Sequence, residues 1–219
     1  DVPGITAGFQ FPVQMRFNYP TTDYLFQPGD AQYEDINHDG NINYQDVVYL
    51  GNGSPKFTGG FGPTFTYKGS ITLSAYFNYR LGGQVINQAK MRTSNEYSYD
   101  NQSTAVLHRW RVPGDVTDVP RALYGTGYNW LGSSRYVESS TFLRFQSITA
   151  RYTFNKSVAS RIKAKSLSVY FTGQNILTFT NYTGQDPEIG QGSGIYQIAV
   201  DKAVTPPLKQ YTIGLSASF

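Results

Sequence analysis

No cysteine occurs among the 219 residues. Disulfides, thiolate metal sites and cysteine nucleophiles are thereby excluded, and the redox compartment cannot be read from the sequence. Histidine is nearly as scarce: His38 and His108 stand far apart, and no Gly-x-Ser-x-Gly elbow accompanies them. Gly190-Gln-Gly192-Ser-Gly194 matches neither a dinucleotide fingerprint nor a phosphate loop. Asp186 and Glu188 flank Pro187 and could form an acid pair for glycoside chemistry, but nothing else accompanies them, and the chain is not expected to be an enzyme. No run of about 18 apolar residues marks a transmembrane helix, and no basic-then-apolar start marks a signal peptide. The first residue is Asp1 rather than Met, which leads to the expectation of a processed product or a fragment. Charge is sparse at 15% of residues, with a net of +3 and no long basic run, so nucleic acid is a poor partner.

What the chain has in abundance is tyrosine, phenylalanine and glycine: 18, 14 and 22 residues, although only 39% of the chain is hydrophobic. Such a chain suits strands whose surfaces meet two different media, because a tyrosine ring is apolar and its hydroxyl is not. It also suits a saccharide-binding sheet. Strands that are half polar escape the filter that detects membrane helices.

The clearest strand is the last. Tyr211, Ile213, Leu215, Ala217 and Phe219 alternate with Thr212, Gly214, Ser216 and Ser218. Successive side chains of a strand turn to opposite faces, so one face is apolar and the other small and polar. An apolar strand left at a sheet edge recruits other chains. In a membrane barrel the same strand has lipid outside, a polar lumen inside and no free edge. Four more stretches share the pattern. Phe61, Pro63, Phe65 and Tyr67 lead through the turn Lys68-Gly69-Ser70 to Ile71, Leu73, Ala75, Phe77 and Tyr79. Ile148, Ala150, Tyr152 and Phe154 follow within Thr141–Phe154, where Leu143 and Phe145 fall out of phase. Leu167, Val169 and Phe171 form the fourth stretch, ahead of a loop expected from about Gln174 to Leu208. Phe9 to Phe17 also alternates, but Pro12 makes it an edge or irregular segment.

Connection lengths add a second argument. Links after the first and third clear strands are short, whereas 81–141 and the stretch after the fourth are long. If strands cross a membrane alternately, every short link lies on one side, expected to be the periplasm, and every long one outside the cell. Within 81–141, Thr104–Arg111 is expected to form a helical turn capped by Asn101 or Ser103. Trp110 and Trp130 in this loop could stack on a substrate or pack the loop itself. Lys156, Arg161, Lys163 and Lys165 make the link after the third strand basic.

Residues 35–46, Asp-Ile-Asn-His-Asp-Gly-Asn-Ile-Asn-Tyr-Gln-Asp, have the spacing of a calcium loop. Asp35, Asn37 and Asp39 hold the first, third and fifth positions; Gly40 permits the tight turn, the Asn41 carbonyl is positioned to join, and Asp46 closes the loop. A hard cation needs six or seven oxygens from one short segment, and this pattern supplies them. Asp46 replaces the bidentate Glu of EF-hands, as in dockerin-type loops. An Asn/Asp/Gly-rich turn without an ion is the other reading, and calcium is expected in a structural role only.

Landmarks in order along the chain resemble the C-terminal end of the SusC/RagA family of TonB-dependent outer-membrane transporters. They are Pro28-Gly-Asp30, Asp35 to Gly40, Gly51-Asn52, Pro55 to Phe61, Arg109-Trp110, Tyr136-Val-Glu138, Ser140 to Arg144, Thr172 to Thr178, Tyr182 to Glu188 and Gly214 to Phe219. The resemblance implies an all-β, antiparallel transmembrane barrel of which these would be about five C-terminal strands, in a 22-stranded wall closed around a plug. Residues 1–60 would then be an extracellular region containing the 35–46 loop, and 61–219 the strands and their loops. It further implies import of oligosaccharides or peptides across the bacterial outer membrane, driven by TonB through a segment not present here, beneath a SusD-like surface lipoprotein. Partners would be the rest of the barrel and plug, that lipoprotein, TonB and the lipid bilayer. A secreted, β-rich, calcium-stabilised saccharide-binding module is the alternative.

Overall fold

The computed structural model describes the backbone at 14–15 and the full chain over 24–188 and 199–219; the alternation at Phe9–Phe17 and the Gly190–Gly194 stretch lie largely or wholly outside these residues. Along the chain come β1 (Gln14–Met15), β2 (Tyr24–Leu25), β3 (Asn41–Ile42), β4 (Phe57–Phe61), β5 (Thr64–Tyr67), β6 (Ile71–Leu81) and β7 (Gln84–Asn87). There follow α1 (Gln88–Thr93), β8 (Val137–Ser139), β9 (Phe142–Thr153), α2 (Lys156–Arg161), β10 (Ser166–Thr180), β11 (Val200–Asp201) and β12 (Gln210–Ser218). The chain divides into two compact units, interleaved in sequence: 1–52, 85–138 and 190–203 in the first, and 53–84, 139–189 and 204–219 in the second.

The second unit is an antiparallel sheet in the order β12-β10-β9-β6, with β4 and β5 end to end along the outer edge of β6. Gly62 and Pro63 split what the sequence suggests is one strand into β4 and β5, since proline cannot donate to the ladder. The turn after β5 places Lys68 and Gly69 at φ of 48° and 68°, with Ser70 N–H donating to the Tyr67 carbonyl. Two consecutive left-handed residues match the twist of a hairpin, which is why glycine stands here.

Register explains the phase break at Leu143 and Phe145. Ser147 faces Tyr76 and Phe145 faces Phe77, so Gln146 is an extra residue on β9. One inserted residue swaps the faces of everything beyond it. Phe145 therefore joins Ile148 on one face and stacks against Phe77 at 4.7 Å, which in turn stacks on Phe61 at 5.0 Å. On β10 the irregularity spans Asn175 and Ile176, two residues, and leaves the phase of Leu177 and Phe179 unchanged. Asn175 adopts φ 52°, accepts from Gln146 Nε2 and donates to the Leu208 carbonyl. β10 thus continues to Thr180, where a loop from Gln174 was expected; the Asn175 bulge interrupts the alternation without ending the strand.

The first unit is built from short elements. β1 pairs with β2 and β3, and β11 lies parallel to β7. Its small core centres on Tyr33 and Ile42, against which Tyr24, Phe26, Ala31, Tyr128 and Leu131 pack. The expected helical turn is a 3-10 segment, Thr104–His108, with Ser103 in the capping position but no side-chain cap bond.

Candidate functional site

The sheet of the second unit has two chemically distinct faces. Cross-strand partners line up as Tyr67, Ile71, Tyr152, Val169 and Leu215 in one row and as Phe65, Leu73, Ala150, Phe171 and Ile213 in the next. Most of these side chains are uncovered; Ile213 is 79% exposed and Leu215 69%. Soluble proteins rarely leave a contiguous apolar patch of such extent bare.

The opposite face carries Thr66, Thr72, Arg151, Tyr170 and Gly214 in one row and Thr64, Ser74, Thr149, Thr172 and Thr212 in another. Hydroxyls meet across strands: Thr64 Oγ1 lies 3.0 Å from Ser74 Oγ, and Thr149 Oγ1 lies 3.3 Å from Thr172 Oγ1. The Arg151 guanidinium sits over the Tyr170 ring at 5.3 Å and donates to Ser168 Oγ. The Tyr170 ring occupies the space a side chain at residue 214 would need, so only glycine fits opposite it.

Toward the end of the sheet with the long connections, this polar face holds an ion cluster. Arg144, on β9, donates to Asp186 at 2.6 Å and to Glu188 at 2.7 Å, while its Nε donates to Thr178 Oγ1. Its guanidinium also lies 5.0 Å from the Phe142 ring, and its side chain is 4% exposed. A planar fork that reaches two carboxylates at once suits arginine better than lysine. Asp186 and Glu188 are thus paired with a cation rather than with each other. The sequence pointed to Asp186 and Glu188 as a pair and missed that Arg144 gathers them, 42 and 44 positions away.

In the first unit, the 35–46 loop is closed by its own backbone. Both Asp35 oxygens accept backbone N–H groups, from Asp39 and from Gly40 at 2.7 Å, and the residue is fully buried. Asp46 accepts from Ile36 and Asn43 N–H, bringing the twelfth position back beside the first. Asp39 accepts from Asn41 N–H and from the Asn37 and Asn41 amides. Slight burial pushes the Asp39 carboxyl up, but these donors together hold it below the usual carboxylate range. A carboxylate retains lone pairs after accepting such bonds, so the donor set fits a hard cation chemically. Among the described residues, however, no three acidic or histidine side chains form a ready-made metal cluster.

The same unit holds a second latch, of whose side chains only Asp30 stood within a sequence landmark. Arg121 Nε donates to Asp30 at 2.6 Å, Tyr24 hydroxyl donates to the same carboxylate at 2.8 Å, and Arg121 N–H donates to the Gly29 carbonyl. Burial and the Asp30 charge push the Tyr24 phenol upward, while Asp30 raises Arg121. Trp110 packs on Gly29, whose φ of 87° suits glycine alone, and borders a cleft of about 580 Å³ with Asp118, Arg135 and Tyr136. Trp130 packs instead, donating to the Gly127 carbonyl and contacting the Tyr97 and Tyr128 rings.

No family model matches the chain. Curated relatives do, all from Formosa agariphila. The TonB-dependent receptor P26 is 31% identical over 199 residues, 87% of this chain, and the TonB-dependent receptor P39 is 30% identical over 201 residues, 89% of this chain. Among solved structures, the RagAB peptide transporter superposes with a TM-score of 0.65 at 29% identity over 77% of the chain. The RagAB peptide importer in its closed-closed state superposes with 0.67 at 27% identity over 90%. The chain belongs with the TonB-dependent receptors. It spans about a fifth of the length of these relatives: 20% of P26 and 19% of P39. In a TonB-dependent receptor, an antiparallel sheet with one apolar and one polar face is wall, and the apolar face has a solvent of its own in lipid. No described helix is long and apolar enough to cross a membrane, a test that does not bear on strands.

Proposed function

We propose that the chain forms five strands and the outer loops of a TonB-dependent outer-membrane transporter that imports oligosaccharides or peptides with a SusD-like surface lipoprotein. The observation that carries this reading is the bare apolar face, continuous from Tyr67 to Leu215, on a sheet whose other face is lined by hydroxyls and arginines. In this reading the apolar rows meet lipid, the polar rows face the lumen, and further strands of the receptor pair with β12 and with β4 and β5. The C-terminus and the short turns lie in the periplasm and the long connections outside the cell; residues 1–60 are largely extracellular. The RagAB comparisons favour peptides as cargo. Trp110, bordering the cleft, is the better placed of the two tryptophans to touch it.

The receptor carrying this chain is expected to require detergent for extraction, and cells lacking it to lose uptake of one cargo class while keeping the other. Recovery as a folded, monomeric, buffer-soluble protein would defeat the transporter reading and restore that of a secreted binding module. Within the same reading, calcium held by Asp35, Asn37, Asp39, the Asn41 carbonyl and Asp46 stiffens the outer loop. Terbium luminescence should appear on the wild-type receptor and vanish in D35N/D39N; equal signals from both would remove the ion.

A further inference from the structure

Carboxylates are unevenly distributed in the second unit. Across 53–84, 139–189 and 204–219 the only acidic side chains are Asp186 and Glu188, and Arg144 holds both near the long connections. The opposite end has no acidic side chain and five cationic ones: Lys68 in the turn between β5 and β6, and Lys156, Arg161, Lys163 and Lys165 between β9 and β10. All but Lys68 lie in or just after the six-residue helix α2, and all five are exposed. Among the described residues none of the five pairs with an acidic side chain; Lys165 Nζ donates to the main-chain oxygen of the last residue, Phe219, and Lys68 Nζ lies 5.2 Å from the Tyr67 ring.

Next to these charges the apolar face ends in aromatic rings. Tyr67 is bare, Tyr152 packs edge-on against Phe154 at 4.9 Å, and Phe219 and Ile162 are exposed. Rings with one wet edge mark the level where hydrocarbon gives way to headgroups. Lysine stems extend along apolar surface while the ammonium reaches the polar layer. A zwitterionic headgroup leaves the cluster's net charge uncompensated, whereas an anionic one neutralises it.

Building on the membrane reading above, we propose that the short-turn end of this sheet is a docking surface for anionic phospholipid, with Lys68, Lys156, Arg161, Lys163 and Lys165 gathering headgroup phosphates. The surface enriches such lipid around the wall and fixes how deep the sheet sits in the bilayer.

The test uses the whole receptor in mixed bilayers containing spin-labelled phosphatidylglycerol or phosphatidylcholine, comparing the motionally restricted fraction of each. Phosphatidylglycerol should be preferred by at least about threefold, since each cation near the surface adds an attraction of this order, and rising ionic strength should erase the preference. The variant K68Q/K156Q/R161Q/K163Q/K165Q should bring the two lipids to parity. K68R/K156R/K163R/K165R should retain the preference, and K202Q, in the first unit, should leave it unchanged. Equal restriction of both lipids by the wild-type receptor, or a preference that survives the glutamine variant, would overturn the proposal while leaving the membrane reading intact. Restriction of neither lipid would overturn both.

Discussion

Ile42 and Ile213 are the same side chain in the two units of one chain, yet one is 5% exposed and the other 79%. The first unit folds Tyr33, Ile42, Val85 and Tyr136 inward around a core of its own. The second turns most of its leucine, isoleucine and phenylalanine outward, while both units bury polar side chains, Asp35 and Asp201 in the first and Arg144 and Asp186 in the second. Burial of apolar surface is favourable only where the alternative is water. A segment facing hydrocarbon gains nothing from hiding its leucines, and must satisfy its backbone polar groups internally. The contrast therefore reports two solvents, and it can be broken by exchanging what each unit hides.

The largest effect is expected at Arg144. Arg144→Ala leaves Asp186 buried and unpaired, a loss of roughly 3 to 5 kcal/mol, measurable as a lowered unfolding midpoint of the detergent-extracted receptor; adding Asp186→Asn should recover much of it. If the single variant is as stable as wild type, the cluster is not structural. Ile213→Arg comes second, at roughly 2 to 4 kcal/mol for a charge on a lipid-facing strand. It should deplete assembled receptor from the outer-membrane fraction, whereas Thr212→Arg, one residue along on the polar face, should not. Equal tolerance at both positions would remove the distinction between the faces. Ile42→Ala is third. A truncated core side chain costs roughly 2 to 5 kcal/mol, and this small cluster belongs at the low end of that range. Ile213→Ala is expected to cost far less, and matching losses would mean that Ile213 too is packed against protein. The smallest concerns α2, whose first turn is capped by the Asn155 side chain accepting from Val158 N–H. Asn155→Ala should cost about 1 kcal/mol, seen as faster amide exchange confined to the turn between β9 and β10.

Much of the second unit was legible beforehand. Alternation over Ile71–Tyr79 and Tyr211–Phe219 marked strands and assigned their faces, because each side chain's direction follows from its neighbours alone. The hairpin at Lys68-Gly69 was legible for the same reason. Leu143 and Phe145 were misphased in the sequence because the extra residue, Gln146, is recognisable only against its partner strand. The early end assigned to the fourth strand has the same origin, as Asn175 looks like a turn residue until Gln146 and Leu208 are seen to satisfy its amide. In the first unit less could be read. The calcium-type spacing was visible, but that Asp35 and Asp46 would bind the loop's own N–H groups was not, and Arg121 carried no mark at all.

Strand, turn and face were determined by the sequence itself, since periodicity, glycine and proline act over a few residues. Tertiary structure alone decided which strands pair, where β9 bulges, that Arg144 meets Asp186 and Glu188, and that the acidic side chains of the second unit gather at one end while five cationic side chains stand at the other. Those outcomes depend on which distant residues are brought together, and a local pattern contains no information about its partner.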